Sequence, residues 1–351
     1  MPPHASRPLR LSGAAIAALA TLCGTPAAVS AQSDPAAMPR PEAFPARRVP
    51  AERARLAAQP ADPDAETPRV FGGEPAATGQ FPFQVALLFA AYLTDEAGSQ
   101  RDAQFCGGSL ISAEWVLTAA HCVDDWDGPM PAADIRVLAG ATALDEGSRH
   151  AVAEVIMHPG YDRVSFDADI ALIRLADPAA EPPIRLARET ADSGDVRVIG
   201  WGMMENGLFP DLLMQVEVGL TSNAACNDGI RSVYADDLAE MLREAAWRMR
   251  FDEPAVQQAV AAVQPGMADP VTPLMLCAGH EAGMRDACYG DSGGPLFAET
   301  RSGPVQHGVV SWGEGPRDAF AACGHELAWG VYARVASFVD WIEAETGLSI
   351  D

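Results

Sequence analysis

The chain has 351 residues, 48% of them hydrophobic and 21% charged, and its 48 acidic against 24 basic side chains give a formal charge of −24. That length allows one large domain or two moderate ones with ample core. So strong a polyanion repels DNA, RNA and anionic membranes, which excludes functions that track phosphates. All 24 basic residues are Arg and none is Lys, a bias that identifies no function.

Residues 1–31 read as a signal peptide. Arg7 and Arg10 give a positive start, residues 11–24 are rich in Ala and Leu, and small residues from Ala27 to Ala31 supply a cleavage site after Ala31. Cys23 invites a lipoprotein reading, which Leu22 beside it opposes. No other apolar run approaches the ~18 residues a membrane span needs. The mature chain is therefore expected to be exported, secreted or periplasmic, and free of the membrane. Residues 32–69 carry eight prolines and almost no periodic apolar pattern, so they read as a removable propeptide, with a disordered linker as the plainer alternative.

Beyond residue 69 the texture is all-β: short apolar runs at 83–88, 115–117, 170–173 and 308–312 alternate with Gly, Pro and Asp turns. Six cysteines remain after Cys23 is removed with the signal: Cys106, Cys122, Cys226, Cys277, Cys288 and Cys323. An even count in an exported chain reads as three disulfides. A Cys106–Cys122 bridge would close a loop of about 15 residues, stabilising by roughly 3 kcal/mol. No C-x-x-C pair or H-E-x-x-H is present, so neither a metal nor a cofactor is expected.

Three segments carry candidate chemistry: Thr118-Ala119-Ala120-His121-Cys122, Asp167-Ala168-Asp169-Ile170, and Gly290-Asp291-Ser292-Gly293-Gly294. A serine hydroxyl is a poor nucleophile until a neutral imidazole takes its proton, and the imidazole needs a buried carboxylate to fix its tautomer. Glycines beside the serine let backbone N–H groups converge on an oxyanion. Singly, each segment has an ordinary explanation. The serine motif also matches the G-x-S-x-G elbow of α/β-hydrolases, but only 59 residues follow Ser292, too few for the acid and histidine that follow there.

Together, in the order His, Asp, Ser, the segments resemble the chymotrypsin/trypsin family of serine endopeptidases, from Val70 to about Leu348. The resemblance implies two antiparallel six-stranded β-barrels (about 70–185 and 186–335) with the active site between them. A C-terminal helix would follow at about 336–348, with Phe338, Val339 and Ile342 inward. It implies His121 as general base, Asp169 as its orienting acid, Ser292 as nucleophile, and the Gly290 and Ser292 N–H groups as the oxyanion hole. Ser311 would support Asp169, and Ser311-Trp312-Gly313 would pair with substrate backbone. Residues 199–202 match a turn of the second barrel. Partners would be protein or peptide substrates and macromolecular inhibitors, met by a monomer. A protease-like fold kept only for binding is the alternative.

By the same resemblance, Asp286, six residues before Ser292, lies at the base of the primary pocket, with Gly313 and Gly330 keeping its walls open. A carboxylate in a dry slot favours a cationic guest. Ala287 stands where a hydroxyl often helps a Lys ammonium, so Arg is expected over Lys. Arg69-Val70-Phe71-Gly72-Gly73 resembles a zymogen cleavage site, with the new Val70 ammonium pairing with Asp291. Phe71 departs from the usual aliphatic residue. Arg69 is a residue the pocket would accept, which suits self-activation.

Cys226 and Cys277 match a family disulfide, but 50 residues lie between them. Leu238, Met241, Leu242, Ala245 and Met249 recur at helical spacing, and Asp252 is placed to cap a second helix carrying Val256, Val260 and Val263. A helical hairpin inserted at about 228–265 is expected, as extra packing or as a lid over the cleft. Cys323 comes late, implying a longer loop at 314–328 and a bridge to Cys288. Trp329 replaces the usual Pro or Tyr, so sodium sensitivity is not carried over. Residues 140–151 do not resemble the family's calcium loop.

Overall fold

Strand β2 (Gln84–Phe89) is buried along its whole length, which explains a continuous apolar run where a half-exposed strand would alternate. Its two faces serve different cores. Val85, Leu87 and Phe89 point into the first barrel, whereas Ala86 and Leu88 join a cluster with Trp201 and Phe297 from the second half of the chain. The computed structural model describes residues 45–57, 72–189, 193–315 and 323–350, all within one compact unit, Pro41–Asp351. The signal peptide and the Arg69–Val70 site fall outside the described residues.

The first barrel closes through β2, β3 (Gln104–Leu110), β4 (Trp115–Thr118), β7 (Ala171–Leu175), β6 (Ser148–Met157) and β5 (Ile135–Ala139), which returns to β2. The second runs β9 (Gly194–Gly200), β10 (Met214–Thr221), β11 (Met275–Gly279), β14 (Gly330–Arg334), β13 (Gly303–Trp312) and β12 (Pro295–Thr300), which pairs back to β9. Short strands β1 (Glu74–Pro75) and β8 (Arg185–Leu186) attach to β10 and β13. The protein is thus two closed six-stranded antiparallel barrels. Phe81, Phe83 and Phe297 meet edge to face between them, with centroids 5.4–6.1 Å apart. The three bridges are Cys106–Cys122, Cys226–Cys277 and Cys288–Cys323.

Six α-helices and four short 3-10 turns complete the described residues. Two short ones, α2 (Ser99–Ala103) and α3 (Ala120–Val123), belong to the first barrel. Helix α4 (Asn223–Met249) starts at a Ser222 cap and α5 (Glu253–Val263) at an Asp252 cap, whose side chain accepts the Ala255 N–H. The inward face of α4 differs from the periodic reading. Ile230, Val233, Ala235 and Ala239 are buried, whereas Met241 and Met249 are exposed. The reason is that α4 lies on the second barrel through the Cys226 bridge for its first half and on α5 thereafter, so its buried face changes along its length. Helix α6 (Val339–Thr346) buries Phe338, Val339 and Ile342 as expected.

One element departs from expectation. Within the stretch read as featureless, α1 (Pro45–Ala57) forms a helix that packs against β3, α2 and α3. It buries only Val49, Pro50 and Arg53 among its described side chains, so it has no apolar stripe at helical spacing for a periodicity search to find.

Candidate active site

Strand β4 delivers α3, and with it His121, to the inter-barrel cleft. Asp169 arrives from a loop in which Phe166 and Ala168 adopt left-handed φ of 57° and 52°, a strained local path that brings the carboxylate under α3. Asp169 Oδ1 accepts the His121 backbone N–H at 2.8 Å, and Oδ2 lies 2.7 Å from His121 Nδ1. The Ser311 hydroxyl also donates to Oδ2. Asp169 is 1% exposed and His121 3%, so the pair is dry and its donors are fixed by neighbours rather than by water. With the Asp169 carboxylate accepting at Nδ1–H, His121 Nε2 is left as the acceptor.

Ser292 sits between β11 and β12 in a loop that only glycine can build. Gly290 and Gly293 have φ of +101° and +82°, and a Cβ on Gly293 would stand 2.2 Å from Thr118 Oγ1 and 2.5 Å from the Gly107 carbonyl oxygen. The Gly107 N–H donates to the Ser292 carbonyl at 2.7 Å, so the first barrel holds the serine loop of the second. Asp291 turns inward, accepting from Gly202 N–H at 2.7 Å and Cys288 N–H at 2.9 Å. Burial raises its pKa to about 6, against the pull of those two N–H groups and of the Arg53 charge.

Asp286 is buried at the end of the same loop. It accepts the Ala287 N–H at 2.8 Å and the Gly324 N–H at 3.0 Å, and the Cys288–Cys323 bridge ties the Gly324 segment to it. Burial pushes its pKa up to about 7. A Cβ on Gly330 would stand 2.3 Å from Asp286 Oδ1, so the glycine keeps the carboxylate accessible. Beside it the buried Tyr332 hydroxyl has no partner among the described residues.

One cavity of about 440 Å³ is lined by His121, Ser292, Asp286, Trp312, Gly313 and Gly330. Ser311 lines it too, whereas Asp169, Gly290 and Asp291 lie behind its wall. Phe166, Tyr332 and Tyr234 also line it, and the sequence reading missed all three. Tyr332 was findable, because it shares the face of β14 with Gly330 at the two-residue strand period. Phe166 owes its place to a left-handed turn that leaves no periodic signal. Tyr234, on α4, donates its hydroxyl to Glu314 at 3.0 Å, so the inserted hairpin forms part of the cavity wall. Among the described residues the only close group of His, Cys and acids that could hold a metal is Cys106, His121 and Cys122, and its two sulfurs are joined in a disulfide, not available as thiolates. No described helix is long and apolar enough to cross a membrane.

The Trypsin family model matches residues 70–342. Similar proteins include Trypsin-1 of Astacus astacus, 32% identical over 78% of this chain and 99% of the relative, and Tryptase of Mus musculus, 33% identical over 78% and 87%. Transmembrane protease serine 11C of Mus musculus is 32% identical, but the match spans 80% of this chain and about half (54%) of that protein. The matched stretch contains both barrels and every residue that lines the cavity, and on that ground the chain belongs to the trypsin family of serine proteases.

Proposed function

We propose that the protein is a serine endopeptidase that hydrolyses peptide bonds after Arg, with Lys second, through an acyl-enzyme. The observation that carries this reading is the placement of Asp286, a buried carboxylate without a cationic partner among the described residues, in the cavity that also holds Ser292 and His121. A guanidinium entering that pocket meets the carboxylate and the Tyr332 oxygen, and restores the charge balance that burial has upset. A neutral guest would leave the carboxylate unpaired or protonated.

In the proposed cycle the Ser292 Oγ attacks the scissile carbonyl carbon while His121 Nε2 takes its proton. Asp169 holds the imidazole through Nδ1 and stabilises the imidazolium, and the Gly290 and Ser292 N–H groups receive the oxyanion. The C–N bond breaks as His121 returns the proton to the leaving amine. Water, deprotonated by the same imidazole, then cleaves the ester. The Trp312–Gly313 segment pairs with the substrate backbone. The activating cut after Arg69 frees the Val70 ammonium to pair with Asp291 and steady the oxyanion loop. The protein is taken to work as an exported monomer, secreted or periplasmic, and three disulfides suit an oxidising compartment.

The test is kcat/KM on matched short peptides with Arg, Lys or Phe before the scissile bond, beside Ser292→Ala, which is expected to lose about 10⁶-fold in kcat. Turnover of Phe peptides over Arg peptides would discard the Asp286 pocket, and no turnover by folded, processed protein would discard the peptidase. Sequencing the active form is expected to read Val-Phe-Gly-Gly, and any other start would move the activation site.

A further inference from the structure

Helix α1 lies upstream of Arg69, yet it is built into the back of the oxyanion loop. Val49 and Arg53, one helical turn apart, point the same way into the protein. The Val49 methyl lies 3.6 Å from where a Cβ on Gly290 would stand. The Arg53 guanidinium sits over the Phe209 ring, 4.6 Å from its centroid. It donates to the Arg101 carbonyl at 2.7 Å, to Gln104 Oε1 at 2.6 Å and to the Trp201 carbonyl at 3.1 Å. A buried arginine held at three acceptors costs too much desolvation to be an accident of a loose linker.

The contact with Gln104 has a consequence for the loop. Guanidinium only donates, so Gln104 must turn its oxygen toward Arg53 and its amide nitrogen the other way. That nitrogen donates to the Gly290 carbonyl at 2.9 Å. Gly290 is the residue whose own N–H is assigned above to the oxyanion. The Trp201 carbonyl, in turn, adjoins Gly202, whose N–H holds Asp291. Arg53 thus reaches two adjacent residues of the loop, Gly290 and Asp291, and its charge favours the ionised form of Asp291, the carboxylate assigned to Val70 after cleavage.

We propose that Arg53 is a positioning residue that sets the Gly290 peptide through Gln104, so that the uncleaved chain already holds a working oxyanion loop. This rests on the peptidase reading given above. It makes the precursor itself a weak enzyme toward Arg sites and supplies the first cut at Arg69 in another copy. After that cut, none of the described bridges ties α1 to the barrels, and Val70 takes over the charge that Arg53 had supplied.

The test uses the full chain with Arg69→Gln, which blocks the activating cut, with and without Arg53→Met. The uncut chain is expected to turn over a short Arg peptide, and Arg53→Met to lower its kcat at least tenfold with KM within about twofold, because an oxyanion donor acts in the transition state. Arg53→Lys, which keeps the charge and can reach one acceptor, is expected to recover most of the loss. Arg53→Met and Gln104→Met are expected to be strongly non-additive, as members of one relay are. An inert uncut chain beside an active cut one, or kcat indifferent to Arg53→Met, overturns this inference and leaves the peptidase reading intact. Should the cut enzyme also be inert, hydrogen exchange still decides. Amides of residues 288–293 are expected to exchange at least tenfold faster in the Arg53→Met chain, and unchanged protection there overturns the role of Arg53.

Discussion

Two buried carboxylates meet opposite fates in this protein. Asp169 is surrounded by donors, with the His121 backbone N–H, the His121 ring and the Ser311 hydroxyl all directed at its two oxygens. Asp286 is as deeply buried but, among the described residues, receives only two backbone N–H groups, next to a tyrosine hydroxyl that has no partner there. The first is satisfied by the protein's own donors. The second is left short of positive charge, and in the function proposed above it is met by what enters the cavity. Burial alone therefore does not distinguish a structural carboxylate from a binding one; the count and charge of its donors do.

The comparison breaks most decisively at Asp169. Asp169→Asn keeps the shape but cannot hold the same imidazole tautomer, so kcat is expected to fall about 10⁴-fold. A loss under tenfold in steady-state assays would show that Asp169 is only packing. Next comes Asp286→Ser, for which kcat/KM on Arg peptides is expected to fall by about 10³-fold or more while reaction of Ser292 with a small acylating ester continues. Undiminished Arg preference would move the pocket elsewhere.

A gentler probe is pH. The ratio of Arg-peptide to neutral-peptide kcat/KM is expected to decline as pH falls through about 7, where Asp286 takes up its proton. Taking the ratio cancels the common titration of the catalytic groups, and a flat ratio from pH 8 to 5 would refute the assignment. Stability gives the same carboxyl an independent reading. Because its pKa rises from an ordinary 3.8 to about 7 on folding, the native state binds more protons than the unfolded state between those values. Stability is thus lost as pH rises across that window. Asp286→Asn is expected to raise Tm fully above pH 7 and not at all below about 4. A pH-independent change in Tm would place the cost outside ionisation. The smallest effect is expected from Tyr234→Phe, which removes the bond to Glu314 at the cavity wall. KM for short peptides should rise less than tenfold, matching a loss of about 1 kcal/mol. A larger change in protein than in peptide turnover would give the inserted hairpin a hold on extended substrates.

How much of this was legible depends on how local each feature is. The serine loop announces itself because the glycines that let it turn must be neighbours in sequence, and Gly293 would collide with Thr118 if it carried a side chain. The helical hairpin was legible from spacing and its Asp252 cap, but its inward face was not, because α4 changes its packing partner partway along. Phe166 entered the cavity through a backbone turn that residue type does not signal.

The sequence by itself determined the fold class, the six cysteines that pair, and the three segments that bring His121, Asp169 and Ser292 toward one site. Each of those rests on short-range chemistry: short apolar runs set between turn residues, an even count of cysteines, and glycines beside a serine. Only the tertiary structure decided that α1 would dock, that Arg53 would meet the carbonyls of Arg101 and Trp201 and the side chain of Gln104, and that Gln104 would then hold Gly290. Those acceptors come from distant parts of the chain, and one arginine among six in a proline-rich stretch becomes a buried donor only when the fold has gathered them.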